Sequence, residues 1–210
     1  MALYLRYRTI LSRCQGGYRG GLKSRARHSY IDGFNLYFGL RDKGWTKYYW
    51  LDRVKLARSL LTPNQVLVRT KYFTSKISHP AGKRKRQQAF LSALATLPDF
   101  EMFFGRCQTF VQSCRRCGHR HLDSNERKTD VNLATQMLVD AFQGTFDAAT
   151  LISADSDLTA PIAEMNRLFP SLFVKVAFPA GRFSLELQSV ARVSFQIYEG
   201  KLRKSLLPIA

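Results

Sequence analysis

Apolar and polar positions along this 210-residue chain switch repeatedly between two periods, and each switch predicts an element. Short apolar runs rich in β-branched and aromatic residues read as buried strands, and apolar residues every three or four positions read as helices. Ser29 to Ile31 ends a first strand. Asp52 caps a helix through Leu61, with Val54, Leu56, Ala57, Leu60 and Leu61 turned inward, and Thr62-Pro63-Asn64 stops it. Gln65 to Phe73 forms a second strand, and the basic run Lys83-Arg84-Lys85-Arg86 leads into a helix through about Thr96. Phe100 to Val111 gives a third strand, interrupted near Gly105. Asp130 to Phe142 is the clearest helix, with Val131, Ala134, Leu138 and Ala141 on one face. Then come a short buried strand (Thr150 to Ser153), a helix (Leu158 to Phe169) and a strand (Leu172 to Phe178). A helix at Ser184 to Val190 and a small edge strand at Phe195 to Tyr198 close the series. Strands alternating with helices predict parallel βαβ units and an α/β fold.

Composition adds a partner to this picture. The chain carries 33 Lys+Arg against 15 Asp+Glu, a formal net charge of +18. Such an excess repels itself unless a polyanion offsets it, and nucleic acid does so through phosphate contacts and counterion release. The 45% hydrophobic and 12% aromatic content is that of a globular chain. No apolar run reaches the roughly 20 residues that span a bilayer, and no Trp-flanked basic amphipathic helix marks a membrane surface. Four cysteines are too few for a disulfide scaffold, and three of them cluster, which predicts metal binding in a reducing, cytoplasmic setting. The first 31 residues hold no Asp or Glu. Residues 1–27 are expected to form a basic, disordered extension rather than a transit peptide, because Gly16-Gly17 and Gly20-Gly21 break any helix. The expected domain spans 28–200, followed by a tail at 201–210.

Carboxylates so scarce are informative where they fall. Asp32 and the pair Asp155 and Asp157 each follow an apolar run, and Asp130 opens the clearest helix. In open α/β sheets, ligands collect beyond the carboxyl ends of the strands. A carboxylate cluster there stays ionised only around a cation, and oxygen donors select Mg²⁺ or Mn²⁺ over softer metals. Taken singly, Asp32-Gly33 is turn material, Asp130 a helix cap and Asp155-Ser156-Asp157 a capping cluster. The joint placement favours a metal site.

Three blocks carry a family resemblance: Tyr30-Ile31-Asp32-Gly33-Phe34-Asn35-Leu36-Tyr37, Thr129-Asp130-Val131-Asn132-Leu133-Ala134, and Leu151-Ile152-Ser153-Ala154-Asp155-Ser156-Asp157-Leu158. Their order resembles the signature of NYN domains, the PIN-like, LabA-like branch of metal-dependent ribonucleases, over about Tyr30 to Tyr198. The resemblance implies a Rossmann-like three-layer sandwich with a mainly parallel sheet and an acidic pocket that holds Mg²⁺ or Mn²⁺ and cleaves RNA. By position it implies Asp32, Asp130, Asp155 and Asp157 as metal-binding, catalytic acids. Asn35, Ser153 and Thr129 become polar pocket residues. Glu126 is kept, but Arg127 stands where the family has Lys, a different donor geometry if that position meets phosphate. A homodimer is compatible with the family type.

Between the third strand and Asp130, Cys114-Arg115-Arg116-Cys117-Gly118-His119-Arg120-His121 has the Cys-x-x-Cys-Gly knuckle of a zinc ribbon. Cys107, His119 and His121 are candidates to complete a tetrahedral Zn²⁺ site with Cys114 and Cys117, making 107–121 a zinc-clip insertion. The competing reading is a surface hairpin with idle thiols. With the zinc clip ordering the edge of the pocket, Arg115, Arg116, Arg120, Arg127 and Lys128 would line a route for phosphates. Lys83, Arg84, Lys85 and Arg86 add non-specific affinity for RNA, or are simply a solvated helix start. Arg41, Lys43, Trp45, Lys47, Tyr48, Tyr49 and Trp50 mix cations with aromatics as single-strand binders do, although each ring is equally at home in a core. The expected function is metal-dependent RNA hydrolysis, and the alternative is a non-catalytic RNA-binding module on the same fold. A phosphatase would want Asp-x-Asp at the first strand, where this chain has Asp32-Gly33-Phe34-Asn35.

Overall fold

The computed structural model describes residues 25–113, 116–118 and 120–208, with the side chains of 25, 106–113 and 120–127 left out. In chain order the elements are β1 (Arg25–Asp32), α1 (Gly33–Asp42), α2 (Arg53–Ser59), β2 (Gln65–Thr74), α3 (Ala81–Ala95) and β3 (Phe100–Phe104). Next come β4 (Arg106–Ser113), β5 (Arg120–Arg127), α4 (Thr129–Gln143), β6 (Ala148–Ile152) and α5 (Thr159–Leu168). The chain ends with β7 (Phe173–Phe178), α6 (Leu185–Val190), β8 (Val193–Gln196) and α7 (Glu199–Arg203). Single 3₁₀ turns lie at Thr46–Tyr48 and Ser156–Leu158.

Six strands form one parallel sheet in the order β3-β2-β1-β6-β7-β8, and β4 pairs with β5 as a separate antiparallel hairpin. Helices cover both faces, so the central strands are buried throughout, as in β6, where all five residues are inaccessible. One face packs Tyr30, Phe73, Leu151 and Val176 against Leu133 and Met137 of α4 and Ile162 and Met165 of α5. The other packs Ile31, Tyr72 and Ile152 against Leu36 and Leu40 of α1, Leu56 of α2 and Leu94 of α3. The result is an α/β three-layer sandwich. Its strand order reverses between β1 and β6, which places a crevice at their carboxyl ends.

Three differences from the sequence expectation have physical causes. First, Gly33–Asp42 is a helix where Asp-Gly suggested only a turn: the Asp32 side chain caps it, and Leu36, Gly39 and Leu40 bury one stripe. Gly33 is required there, because a Cβ would sit 2.7 Å from the Phe73 carbonyl and the Tyr72 ring. Second, Val131 is 65% exposed rather than inward. The buried stripe of α4 runs through Thr129, Leu133, Met137, Asp140 and Ala141, with a carboxylate where a patterning argument wants an apolar residue. Asp140 is satisfied by the Tyr30 hydroxyl at 2.6 Å, by Lys71 Nζ at 2.9 Å and by Gln136 Nε2 at 2.9 Å. Third, the strand expected over Phe100 to Val111 divides: β3 stays beside β2 up to Gly105, whose N–H donates to the Thr74 carbonyl, and β4 then leaves the sheet to pair with β5.

Candidate metal centre

Every residue of the site hangs from the β1/β6 edge or from the start of α4. Asp32 ends β1 and is only 3% exposed. Its Oδ1 accepts from the Asn35 backbone N–H at 2.9 Å, which caps α1, and its Oδ2 accepts from Ser153 Oγ at 2.8 Å. Ile31 and Ile152 are paired neighbours, so Ser153 leaves β6 directly beside Asp32. Ser153 Oγ in turn accepts from the Asp155 N–H at 3.1 Å, and Asn35 Oδ1 accepts from the Ala154 N–H at 3.2 Å. The two strand ends are thus stitched together by side chains of the first and third sequence blocks. Asp155 Oδ1 accepts from the Asp157 N–H at 3.1 Å, which shapes the turn into α5.

The third component arrives on α4. Lys128 takes a left-handed backbone conformation at φ 76°, an uncommon state for a residue with a side chain, and the helix starts directly after it. Thr129 is buried, with its Oγ1 3.4 Å from Ser75 Oγ at the end of β2, and this contact seats the helix start on the sheet edge. Sequence reasoning had no access to Ser75, since a hydroxyl pair 54 residues apart leaves no local pattern. Asp130 then projects into the crevice.

Carboxylate oxygens of Asp32, Asp130 and Asp155 converge within 4.8 Å of one another. Burial pushes the Asp32 carboxyl up to about 6, against the pull of its hydrogen bonds from Asn35 and Ser153, and the charges of Asp130 and Asp155 push the same way. Asp130 is raised too, first by burial and then by Asp155 and Asp157. Two partly or fully buried carboxyls raised in this way beside a third carboxylate form a site short of positive charge, and an all-oxygen donor set fits a hard divalent cation. The residues present therefore fit Mg²⁺ or Mn²⁺.

The remaining expected residues divide. Asp157 is exposed and stands outside the converging three, though its charge reaches Asp130. Lys128 is exposed beside the site, and Lys83, Arg84, Lys85 and Arg86 are exposed on the first turns of α3. Arg116 and Cys117 are exposed, with Cys117 a free thiol. Cys114, Arg115 and His119 lie outside the described residues, as do the side chains of Cys107, Arg120, His121 and Arg127, so the zinc clip falls outside what the structure describes. The aromatic segment after α1 serves largely as core: Tyr48 is buried with its hydroxyl donating to Glu199 at 2.7 Å, and Trp45 packs edge-on against it. Among the described residues, no helix is long and apolar enough to cross a membrane.

Comparison with known proteins bears on the same geometry. A 6-hydroxy-3-succinoylpyridine 3-monooxygenase, HspA, of Pseudomonas putida is 30% identical, over 71% of this chain and 58% of its own length. The chain thus spans little more than half of that relative. The crystal structure of a protein of unknown function from Vibrio parahaemolyticus superposes with a TM-score of 0.56 at 18% identity, covering 90% of this chain and all of that one, and shares the fold. Residues 30–197 match the sequence model of the NYN domain, a span that begins at the strand carrying Asp32 and contains Asp130 and Asp155. The chain belongs to the NYN domain family.

Proposed function

We propose that this protein is a metal-dependent ribonuclease that hydrolyses RNA phosphodiester bonds. The observation that carries the reading is the convergence of three carboxylates within 4.8 Å at the switch point of the sheet, in a chain of net charge +18. Asp32, Asp130 and Asp155 would hold Mg²⁺ or Mn²⁺. When bound, such an ion supplies a water of lowered pKa and neutralises charge that develops on the phosphodiester. Ser153 and Asn35 keep Asp32 and the Asp155 turn in register, and Asp157 adds negative charge at the rim. Lys128 and the exposed cations of α3 draw the phosphate backbone toward the crevice. The family membership supports a nuclease-like role. The monooxygenase activity in the name of the Pseudomonas relative enters no step here, because 42% of that protein's length has no counterpart in the matched span.

The test is cleavage of end-labelled single-stranded RNA with Mn²⁺ or with EDTA, beside an Asp155→Asn variant. Product that needs both the metal and Asp155 is expected. Salt-dependent binding with no metal-dependent product would instead leave the non-catalytic RNA-binding module, which the charge alone also supports.

A further inference from the structure

Between α3 and the edge strand β3 runs a groove of about 520 Å³, lined by Lys76, Arg84, Gln88, Leu91, Met102 and Phe104 among others. Building on the ribonuclease reading, we infer that this groove holds a nucleotide of single-stranded RNA adjoining the scissile phosphate. Its base lies on Phe104 and the apolar floor, and its phosphates lie at Lys76 and Arg84.

Two groove residues tie it to the helix that carries Asp130. Lys76 follows Ser75, whose hydroxyl meets Thr129, and the Phe104 carbonyl accepts from Asn132 Nδ2 at 3.4 Å, so both residues flank the start of the helix that carries Asp130. It is also preformed. Gln87 clamps α3 to the chain leaving β2, accepting from the Ile77 N–H and donating to the Ser75 carbonyl, both at 2.8 Å. Phe104 is 39% exposed with Lys76 Nζ 4.8 Å from its ring centroid, a cation and a stacking surface in one place. Among the described residues no carboxylate lines the groove, and the first turn of α3 has neither an acid nor a side-chain cap, so this wall is complementary to phosphate. Its volume is that of a small-ligand pocket, room for an unpaired base but not for a duplex.

The experiment uses the full chain in an Asp155→Asn background with EDTA, so that binding is read apart from cleavage. Fluorescence anisotropy of a labelled RNA of about 10 nucleotides is compared for the parent, Phe104→Ala, Arg84→Gln and the groove-filling Ser92→Trp. Loss of one stacked base weakens binding by roughly 5- to 150-fold. Phe104→Ala and Ser92→Trp are expected within that range, and Arg84→Gln should flatten the salt dependence by about one phosphate contact. Circular dichroism confirms folding, and Ser92, exposed on α3, tolerates the larger side chain. Parent-like affinity in both Phe104→Ala and Ser92→Trp overturns the assignment, as does equal competition by duplex RNA or by polyglutamate. The two readings fail separately: weakened binding in the groove variants stands even if the parent chain cleaves nothing, and metal-dependent cleavage stands even if the groove variants bind normally.

Discussion

Replacing Asp32 by Asn should stabilise the metal-free protein at neutral pH while removing its ability to hold an ion. Asp32 is 3% exposed and titrates at about 6 instead of 3.8, with burial as the leading cause. A carboxyl whose folded pKa is raised contributes stability that is fully present below about 3.8 and is lost as pH rises through about 6. At about 1.36 kcal/mol per pH unit, ionised Asp32 at pH 7 costs the folded state roughly 3 kcal/mol. Asn is neutral and nearly isosteric, so it escapes that cost, and its Oδ1 can still accept the Asn35 N–H. Its amide cannot accept from Ser153, and that lost bond costs about 1 kcal/mol. The net gain at pH 7 is therefore about 2 kcal/mol, or roughly 5 °C in Tm for a chain of this size. Near pH 4 the sign reverses, because Asp32 is then largely protonated and keeps its bond to Ser153. Urea denaturation in EDTA across this range reads the difference between the two proteins, and groups common to both largely cancel. A difference that stays constant with pH, or a parent more stable than the variant at pH 7, would refute the claim that Asp32 is a buried, strained anion.

Mn²⁺ affinity, measured by titration calorimetry, should rise about tenfold per pH unit up to about 6 and then level off, because Asp32 must lose its proton to ligate. A flat profile would remove Asp32 from the ligand set. Lys71→Met leaves Asp140 buried without its ammonium partner and should cost roughly 3 kcal/mol in urea denaturation. The double variant with Asp140→Leu should recover part of that loss, the remainder being the Tyr30 hydroxyl left without its acceptor. Gly33→Ala drives a methyl to 2.7 Å from the Phe73 carbonyl and the Tyr72 ring. It should cost about 1–3 kcal/mol and tilt α1, weakening Mn²⁺ binding through the Asp32 cap.

Much of this was legible in the sequence where one local pattern dominates. The helix expected over 130–142 occupies Thr129–Gln143, and the strand expected over 65–73 occupies Gln65–Thr74, because long runs with one period leave little room for another outcome. The three converging acids, with Asp157 beside them, are legible because acids are scarce in this chain and these end strands or begin a helix. What stayed hidden depends on contacts across the sheet. No window around Asp140 announces that Tyr30, Lys71 and Gln136 will surround it, so the apolar pattern alone sets the phase of α4 one step off and turns Val131 inward. Helix α1 is not legible because Gly33 signals a turn locally, whereas the helix depends on the Asp32 cap and on burial of Leu36 and Leu40. The groove was equally invisible, since Lys76 and Phe104 meet only once β2 and β3 pair and α3 closes over them.

The charge distribution also has a consequence for the order of binding. A chain of net charge +18 attracts polyanions, yet on the proposed ribonuclease reading a phosphodiester arrives where, among the described residues, three carboxylates converge. At close range those charges outweigh the diffuse positive field, because repulsion grows as distance shrinks and the partly buried site is poorly screened. Burial is the first cause of the raised pKa values of Asp32 and Asp130, and repulsion from neighbouring carboxylates adds to it. Phosphate is therefore held off the triad until positive charge occupies it, while Lys76, Arg84 and Lys128 can bind the flanking backbone in either state. Divalent ion and RNA should thus bind with positive coupling at the crevice and independently in the groove. Anisotropy titrations with and without Mn²⁺, on an RNA analogue that resists hydrolysis, should show a smaller coupling for Asp130→Asn, which keeps two of the three acids, with groove affinity unchanged. Coupling as large as in the chain with all three acids would place the ion elsewhere.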